Sequence, residues 1–568
     1  MSFVPYLLSA VAALALPQEP APRLLDHAAL NAELKRLDAE HGDLVQLELV
    51  GTSRGEREIL AALITGPGEA ADVEDRPAIL LVANIEGPRV FASAIALQHV
   101  EVLAQAYATD DGVRAFLDST VLLIVPRANP DGAEARFASP RFERFATGQG
   151  VDDDRDGRQG EDPPSDVDGD GFITWMRVED PDGEWIPDPT DARVLVEATP
   201  AKGERGRFKL HREGRDLDGD ERVAEDAPRD GRVDRNFPSG WVEHEAESGL
   251  FATDEPEVRG LCELVLAHPE IALVLTYDGL DDLVEAPESV KDDAPPVKRV
   301  PAPGVLESDH EYWKKLGERY RELTESEAKE DGENEGSFQR WCYDHRGLWS
   351  LSAMLWEMPT AAEEVEEKDE GESQEKQEET EEEPKEEPSE DAKRLEWVDS
   401  ADEAWRFVEW KTFQHPELGA VEVGGFAPYA HIEPPQDEWA DIATDQLEFL
   451  QTLGASLPRL SLAVCEREDL GGGVWRVKAV LQNEGLLPLL SHSARRTRTT
   501  RPARVRLELP ANAELLAGSP QTLVSELEGS GGRHELVWLV HDSGGGPITV
   551  TVDTDHAGSA SNVAEVVQ

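Results

Sequence analysis

Three uninterrupted apolar runs constrain this chain more than any other feature: AILLVANI (78–85), TVLLIVPR (120–127) and IALVLTYD (271–278). Each is far too short to span a membrane and lacks polar alternation, the pattern of a strand covered on both faces. A helix-like segment from Phe91 to Ala108 separates the first two, and a helix beginning near Glu255 leads into the third. A last strand, WSLSAMLW (349–356), ends the series, and LVQLELV (44–50) and EILAALIT (58–65) flank GTSRGER as a hairpin. The alternation predicts an α/β domain over about residues 24–362, with a mixed, largely parallel sheet flanked by helices.

With 568 residues the chain is too long for that domain alone. Residues 363–391 carry 17 Asp or Glu against three Lys with almost no apolar side chains, which predicts a disordered acidic linker over 363–394. Residues 395–458 are expected to form a helical extension around a Pro/Gly-rich middle. From 459 to 568, short alternating runs such as WRVKAVLQN (475–483), RVRLELP (504–510), HELVWLV (534–540) and ITVTVDT (548–554) predict an all-β sandwich. LLPLL (486–490) reads as a turn or a short apolar plug. At the other end, Met1 to Ala15 is apolar and closes on Ala13-Leu14-Ala15, which predicts a signal peptide over 1–23 and an exported protein, whether periplasmic, cell-surface or secreted.

The balance of 118 Asp plus Glu against 55 Lys plus Arg, a formal charge of −63, excludes a phosphate backbone as an electrostatically favoured partner. It disfavours an anionic membrane surface for the same reason, and no apolar run after the first reaches the ~20 residues of a membrane span. The three cysteines (Cys262, Cys342, Cys465) are too few and too far apart for a disulfide scaffold or a zinc knuckle.

Several stretches resemble the zinc carboxypeptidase (metallocarboxypeptidase) family: GTSRGEREI, the NPDG of RANPDGAEA (127–135), VDRNFP (233–238) and TDEPEVRG (253–260), in that order. FQHPELGAVEVGGF (413–426) resembles a segment of bacterial members that append a sandwich. The resemblance implies a carboxypeptidase-like fold, a zinc ion held by two His and one Glu, a separate Glu as proton acceptor, and an Arg that clamps a substrate's terminal carboxylate.

The positions that should carry this chemistry hold other residues. In NIEGPRV, Glu86 stands where the first His belongs and Arg89 where the Glu belongs. Asp278 occupies the place of the second His, and Met354 that of the proton-accepting Glu. Arg235 matches the carboxylate-binding Arg, although Asp234 precedes it in place of Asn. Glu357 falls at an odd offset from Met354, on the opposite face of a strand, and the one other His-x-x-Glu spacing, His244 to Glu247, reads as coincidental surface residues. An Arg cannot ligate a metal, so two carboxylates with Arg89 between them suggest a Glu86–Arg89–Asp278 ion cluster in the metal's place; solvated side chains in an abandoned cleft are the alternative.

An insertion over about 148–232 carries alternate acids spaced as in calcium loops: Asp152, Asp154 and Asp156; Asp166, Asp168 and Asp170; Asp216, Asp218 and Asp220. Calcium is therefore a candidate ligand, with solvated acidic turns as the alternative. The function expected from these readings is a non-catalytic pseudopeptidase that binds peptide, protein or cell-wall material. An active metallocarboxypeptidase with a non-standard site and a calcium-stabilised structural surface protein are the competing expectations. Oligomeric state is left open.

Overall fold

The computed structural model describes residues 20–68, 73, 75–147, 160–220, 222–225, 231–291, 300–326, 334–360 and 387–567. The expected signal segment through residue 19, residues 363–386 of the expected acidic linker, and Asp152, Asp154 and Asp156 lie outside the described residues.

The expected α/β domain is built on a six-stranded sheet. Strands β1 (Val45–Thr52), β2 (Glu58–Ile64), β3 (Ala78–Ala83), β4 (Val121–Val125), β9 (Ile271–Tyr277) and β12 (Trp349–Ala353) lie in the order β1-β2-β4-β3-β9-β12. The four central and far strands run parallel, while β1–β2 is the antiparallel hairpin and β2 meets β4 antiparallel. Every residue of β3, β4 and β9 is buried, which is why those runs lack polar alternation. Helices His27–Glu40, Val90–Ala106, Glu307–Thr324 and Trp439–Ser456 contribute to the core on one face, and Pro256–Ala267 to that on the other. The short parallel pair β10 (Ser289–Val290) and β11 (Val305–Leu306) lies outside this sheet.

The expected helical extension proves different. It opens and closes with helices, Glu390–Ser400 and Trp439–Ser456, but its middle is a β-hairpin, β13 (Phe407–His415) and β14 (Gly419–Phe426). The Pro and Gly residues that suggest an irregular linker are the turn and edge chemistry of that hairpin. It is joined to the insertion: β14 pairs with β5 (Trp175–Glu179), which continues through β8 (Phe208–Arg212) to β6 (Trp185–Pro187) and β7 (Leu195–Glu197). Two segments more than 190 residues apart thus form one antiparallel sheet with its own core of Met176, Val421 and Val423.

The C-terminal sandwich is present as two sheets, one ordered β18 (Ala513–Ala517), β20 (Gly532–Asp542), β16 (Val474–Asn483), β15 (Leu460–Gly471), β23 (Glu565–Val567). The other is ordered β19 (Gln521–Val524), β17 (Ala503–Glu508), β21 (Thr549–Asp553), β22 (Ser559–Val563). The LLPLL plug joins the domains, with Leu487 in the core of the α/β domain and Leu489 and Leu490 in that of the sandwich. The buried Asp309 carboxylate fixes the junction by accepting the His492 and Ser493 backbone N–H groups at 2.8 and 3.1 Å and the Tyr343 hydroxyl at 2.8 Å.

The turn after β3 is set by contact with the NPDG turn. A Cβ at Gly87 would lie 2.4 Å from the Arg144 carbonyl oxygen and 2.5 Å from the Gly132 Cα, so backbone meets backbone with no flexible atom to yield. Gly87→Ala should therefore lower the unfolding free energy by about 1–3 kcal/mol, as overpacking in a close-packed interior does. Chemical denaturation checks this, and an unchanged midpoint would contradict the close approach.

Candidate functional site

The parallel strands β3, β9 and β12 are neighbours, so their C-terminal ends deliver Glu86, Asp278 and Met354 to one place, where open α/β sheets gather their ligands. Asn84 makes the local turn. It takes a left-handed conformation (φ +58°), and its side-chain amide donates to the Glu86 and Gly87 carbonyls at 2.8 and 2.9 Å. Asn129 secures the same loop from outside, donating to the Ile85 carbonyl at 3.2 Å while accepting the Gly132 N–H at 2.9 Å.

Glu86 is held by two guanidinium groups. Arg89 Nε donates to one carboxylate oxygen at 2.9 Å and Arg232 Nη2 to the other at 2.8 Å. Arg232 also grips Asp234 through two hydrogen bonds, at 3.1 and 2.8 Å, and reaches Glu247 at 3.4 Å. All three members of the Arg89–Glu86–Arg232 chain are 15–16% exposed at the side chain. Burial would push the Glu86 carboxyl up, but Arg89 and Arg232 outweigh it and hold the group below its ordinary value.

Asp278 joins differently from the expected ion cluster. Its Oδ1 accepts the Glu86 backbone N–H at 2.9 Å. Burial, followed by the charges of Glu86 and Asp234, pushes it well above the ordinary carboxylate range, which favours its neutral form beside Glu86. The cation missing from the sequence reading is Arg232, which lies 146 residues from Glu86 and follows no spacing rule. Met354 is 2% exposed and its N–H donates to Asp281 at 3.1 Å. Arg235 lies against Asp234 at 3.6 Å. Glu357 pairs with Arg394 at 3.1 Å, and the His244 side chain is 89% exposed.

Zinc requires ligand atoms with free lone pairs, from neutral imidazole, thiolate or carboxylate. Here both Glu86 oxygens are engaged by guanidinium, Asp278 is engaged by the Glu86 backbone N–H, and Arg89 has no lone pair to give. Among the described residues, no set of three metal-ligating side chains meets at this point. These residues do not fit a zinc ion.

The turn after β14 also reaches this point, held by Arg136–Glu433 hydrogen bonds at 2.9 and 3.0 Å and by Tyr429, whose hydroxyl donates to the Phe142 carbonyl at 2.6 Å. The fully buried Arg406 donates to the Ala430 and Glu433 carbonyls at 2.6 and 2.7 Å. Between Arg89, Asp278, Trp356 and Ile432 a space of about 10 Å³ remains, no more than a single water fills.

Among the described residues of the insertion two acid groups converge, one holding all three acids read from the third loop and one holding two of the three from the second, each joined by an acid from outside the loop. Asp166 and Asp168 meet Glu213, while Asp170 is occupied by the Phe172 N–H at 2.9 Å. Asp216, Asp218 and Asp220 meet the buried Asp162. Glu213 accepts the Val167 and Thr174 N–H groups at 2.7 and 2.8 Å, and burial pushes it up to about 7. Both extra acids lie outside their loops in sequence and arrive through the tertiary fold.

Removing the shared anion takes from the buried Arg89 its acid partner and from Arg232 one of three, so Glu86→Gln should cost about 3–5 kcal/mol at pH 7. Asp278→Asn, which copies the neutral acid, should change stability by less than about 1 kcal/mol. Because the folded-state pKa of Glu86 lies below its ordinary 4.5, its contribution is present above that pH and is lost as pH falls through the lower folded value. Urea unfolding should show wild type and Glu86→Gln converging on acidification; a constant gap, or equal costs for the two variants, would refute the assignment.

Residues 30–180 match the zinc carboxypeptidase family, and residues 459–565 match a domain of unknown function (DUF8731). A zinc carboxypeptidase of Saccharothrix mutabilis subsp. capreolus is 30% identical over 110 residues, 19% of this chain and 25% of that protein. The chain therefore spans about a quarter of the length of that relative. Among solved structures, bovine thrombin-activatable fibrinolysis inhibitor in complex with tick carboxypeptidase inhibitor is 10% identical with a TM-score of 0.39, over 76% of this chain and 96% of that one. Carboxypeptidase A from Helicoverpa armigera is 14% identical with a TM-score of 0.36, over 60% and 66%. The similarity to the zinc carboxypeptidase family thus rests on residues 30–180, the segment that opens the α/β domain.

Proposed function

We propose that this protein is an exported pseudopeptidase, a zinc carboxypeptidase relative that binds peptide, protein or cell-wall material without cleaving it. The observation that carries the reading is Glu86, whose two oxygens are both taken by arginines where the family's metal would sit. Metal-assisted hydrolysis needs an open coordination position and a group to move a proton. The thioether of Met354 cannot take up the proton, and only a small space remains between Arg89, Asp278, Trp356 and Ile432. The start at Met1 to Ala15 supports export.

Arg235 is the one residue of the resemblance's carboxylate clamp still in place, 3.6 Å from Asp234. We infer that it supplies affinity for chain ends. The acid groups around Glu213 and Asp162 favour a supporting role for calcium, which would neutralise converging carboxylates and stiffen the insertion sheet.

Protein dialysed against zinc and assayed by mass spectrometry should carry substoichiometric zinc and release no C-terminal residue from peptides. Stoichiometric zinc together with hydrolysis would overturn the reading. A peptide with a free C-terminus should bind the wild type and be lost with Arg235→Ala, whereas equal binding by both would assign Arg235 to structure alone.

Thermal melts in millimolar calcium should lie above those in chelator, because a ligand present at 100 times its Kd adds about 2.7 kcal/mol to the folded state. Identical melts would reduce both acid groups to solvated turns.

A further inference from the structure

Next to the ion cluster, and sharing Arg232 with it, lies a cavity of about 460 Å³. That is within the size range of small-molecule sites. Three remote parts of the chain wall it: Phe142 and Phe145 from the α/β domain, Ile173 and Trp175 from the insertion, and Phe426 and Pro428 from the turn after β14. Its walls are therefore mainly aromatic and apolar, and they exist only because the insertion and the extension share a sheet.

The charged groups in this wall are unequally committed. Arg232 is bound to Glu86, Asp234 and Glu247, and Arg144 donates to the Ala146 and Thr147 carbonyls at 2.9 and 3.1 Å. Glu143 accepts the Tyr429 N–H at 2.5 Å. Arg212 differs from these. It sits opposite Trp175 in the β5–β8 pairing, with its guanidinium carbon 4.3 Å from the centre of the indole ring. Among the described residues its side chain makes no hydrogen bond or ion pair, and it is half-buried. Burial lowers its pKa, partly offset by Glu143. His431, also in the wall, is pushed down to about 4 by burial and is neutral at physiological pH.

We propose that the cavity binds a monocarboxylate with a flat aromatic body, the carboxylate taken by Arg212 and the body by the aromatic wall. A planar guanidinium already stacked on an indole presents its remaining N–H edge as a fork, which matches a carboxylate in bidentate geometry. The half-buried Arg212 guanidinium has no side-chain acceptor among the described residues, so a carboxylate entering the cavity gains a charge-assisted hydrogen bond there. The charge count argues against a dianion. Three arginines face Glu143 and Glu247, leaving one net positive charge, and a phosphate would meet both acids. The proposal deepens the pseudopeptidase reading, resting on it in so far as it treats the protein as a binder, and supplies a ligand class for the surroundings of the silent cleft.

Calorimetric titration of the full chain with naphthalene-2-carboxylate and indole-3-acetate, and with the corresponding amides, tests it. Both carboxylates should bind with Kd below about 1 mM and the amides at least about tenfold more weakly. Arg212→Met should bring the carboxylates to the level of the amides. Arg212→Lys, which keeps the charge but not the fork, should lose most of the difference. Failure of both carboxylates to bind, equal binding of acid and amide, or wild-type affinity in both variants would overturn the proposal. The acid–amide comparison on unaltered protein stays decisive if a variant fails to fold. Zinc-dependent hydrolysis would sink the pseudopeptidase reading while leaving this site standing, whereas absent carboxylate binding in an inactive, zinc-free protein would sink this site alone.

Discussion

One carboxylate between two guanidinium groups organises this protein's cleft. Glu86 is placed at the end of a fully buried strand, where an isolated charge is intolerable, and Arg89 and Arg232 make it tolerable by using both of its oxygens. Arg232 then binds Asp234, and Asp278 accepts the Glu86 N–H, so a chain of polar contacts links the ends of β3 and β9 with the segment before Asn236. An arrangement of this kind fixes geometry in the way a metal would, through directed contacts from several elements to one centre. It differs chemically in having no open position and no acidic water.

The motifs that carry the family resemblance are mostly scaffolding in this structure. Asp131 of NPDG accepts the Ser53 hydroxyl at 2.9 Å, the Gly55 N–H at 2.6 Å and an Arg57 N–H at 2.6 Å, so it ties the opening hairpin to the turn after β4. Arg54 of that hairpin meets Glu255, at the start of helix Pro256–Ala267, at 3.1 and 3.0 Å. These contacts bring chain segments together around the strand ends whether or not chemistry takes place there. That explains how the motif order can persist while the residues expected to act on a substrate are replaced.

The insertion and the extension read as separate accessories along the sequence, yet they are one structural unit. Their shared sheet, closed by β14 on β5, carries the turn that reaches the cleft and supplies half the wall of the Arg212 cavity. Arg406, stacked among Trp356, Trp397 and Trp405 at 5.0, 5.3 and 4.7 Å, anchors that turn through two backbone carbonyls. The turn's position is therefore built into the fold by hydrogen bonds from buried groups.

The sequence by itself determined the elements whose signal is local. The buried strands of the α/β domain, the opening hairpin and the alternating strands of the sandwich all follow from apolar periodicity, because burial on one or two faces imposes a pattern within a few residues. It also determined that Glu86, Arg89, Asp278 and Met354 stand where other residues were expected. What only the tertiary structure decided was partnership. Arg232, rather than Asp278, completes the ion cluster; Asp162 and Glu213 complete the acid groups; the Pro/Gly-rich middle of the extension becomes the hairpin over 407–426, which pairs with β5. The physical reason is the range of the interactions. Hydrophobic period is written in neighbours along the chain, whereas a buried charge is satisfied by whichever side chain the fold brings within 3 Å, and no spacing in the sequence records that distance.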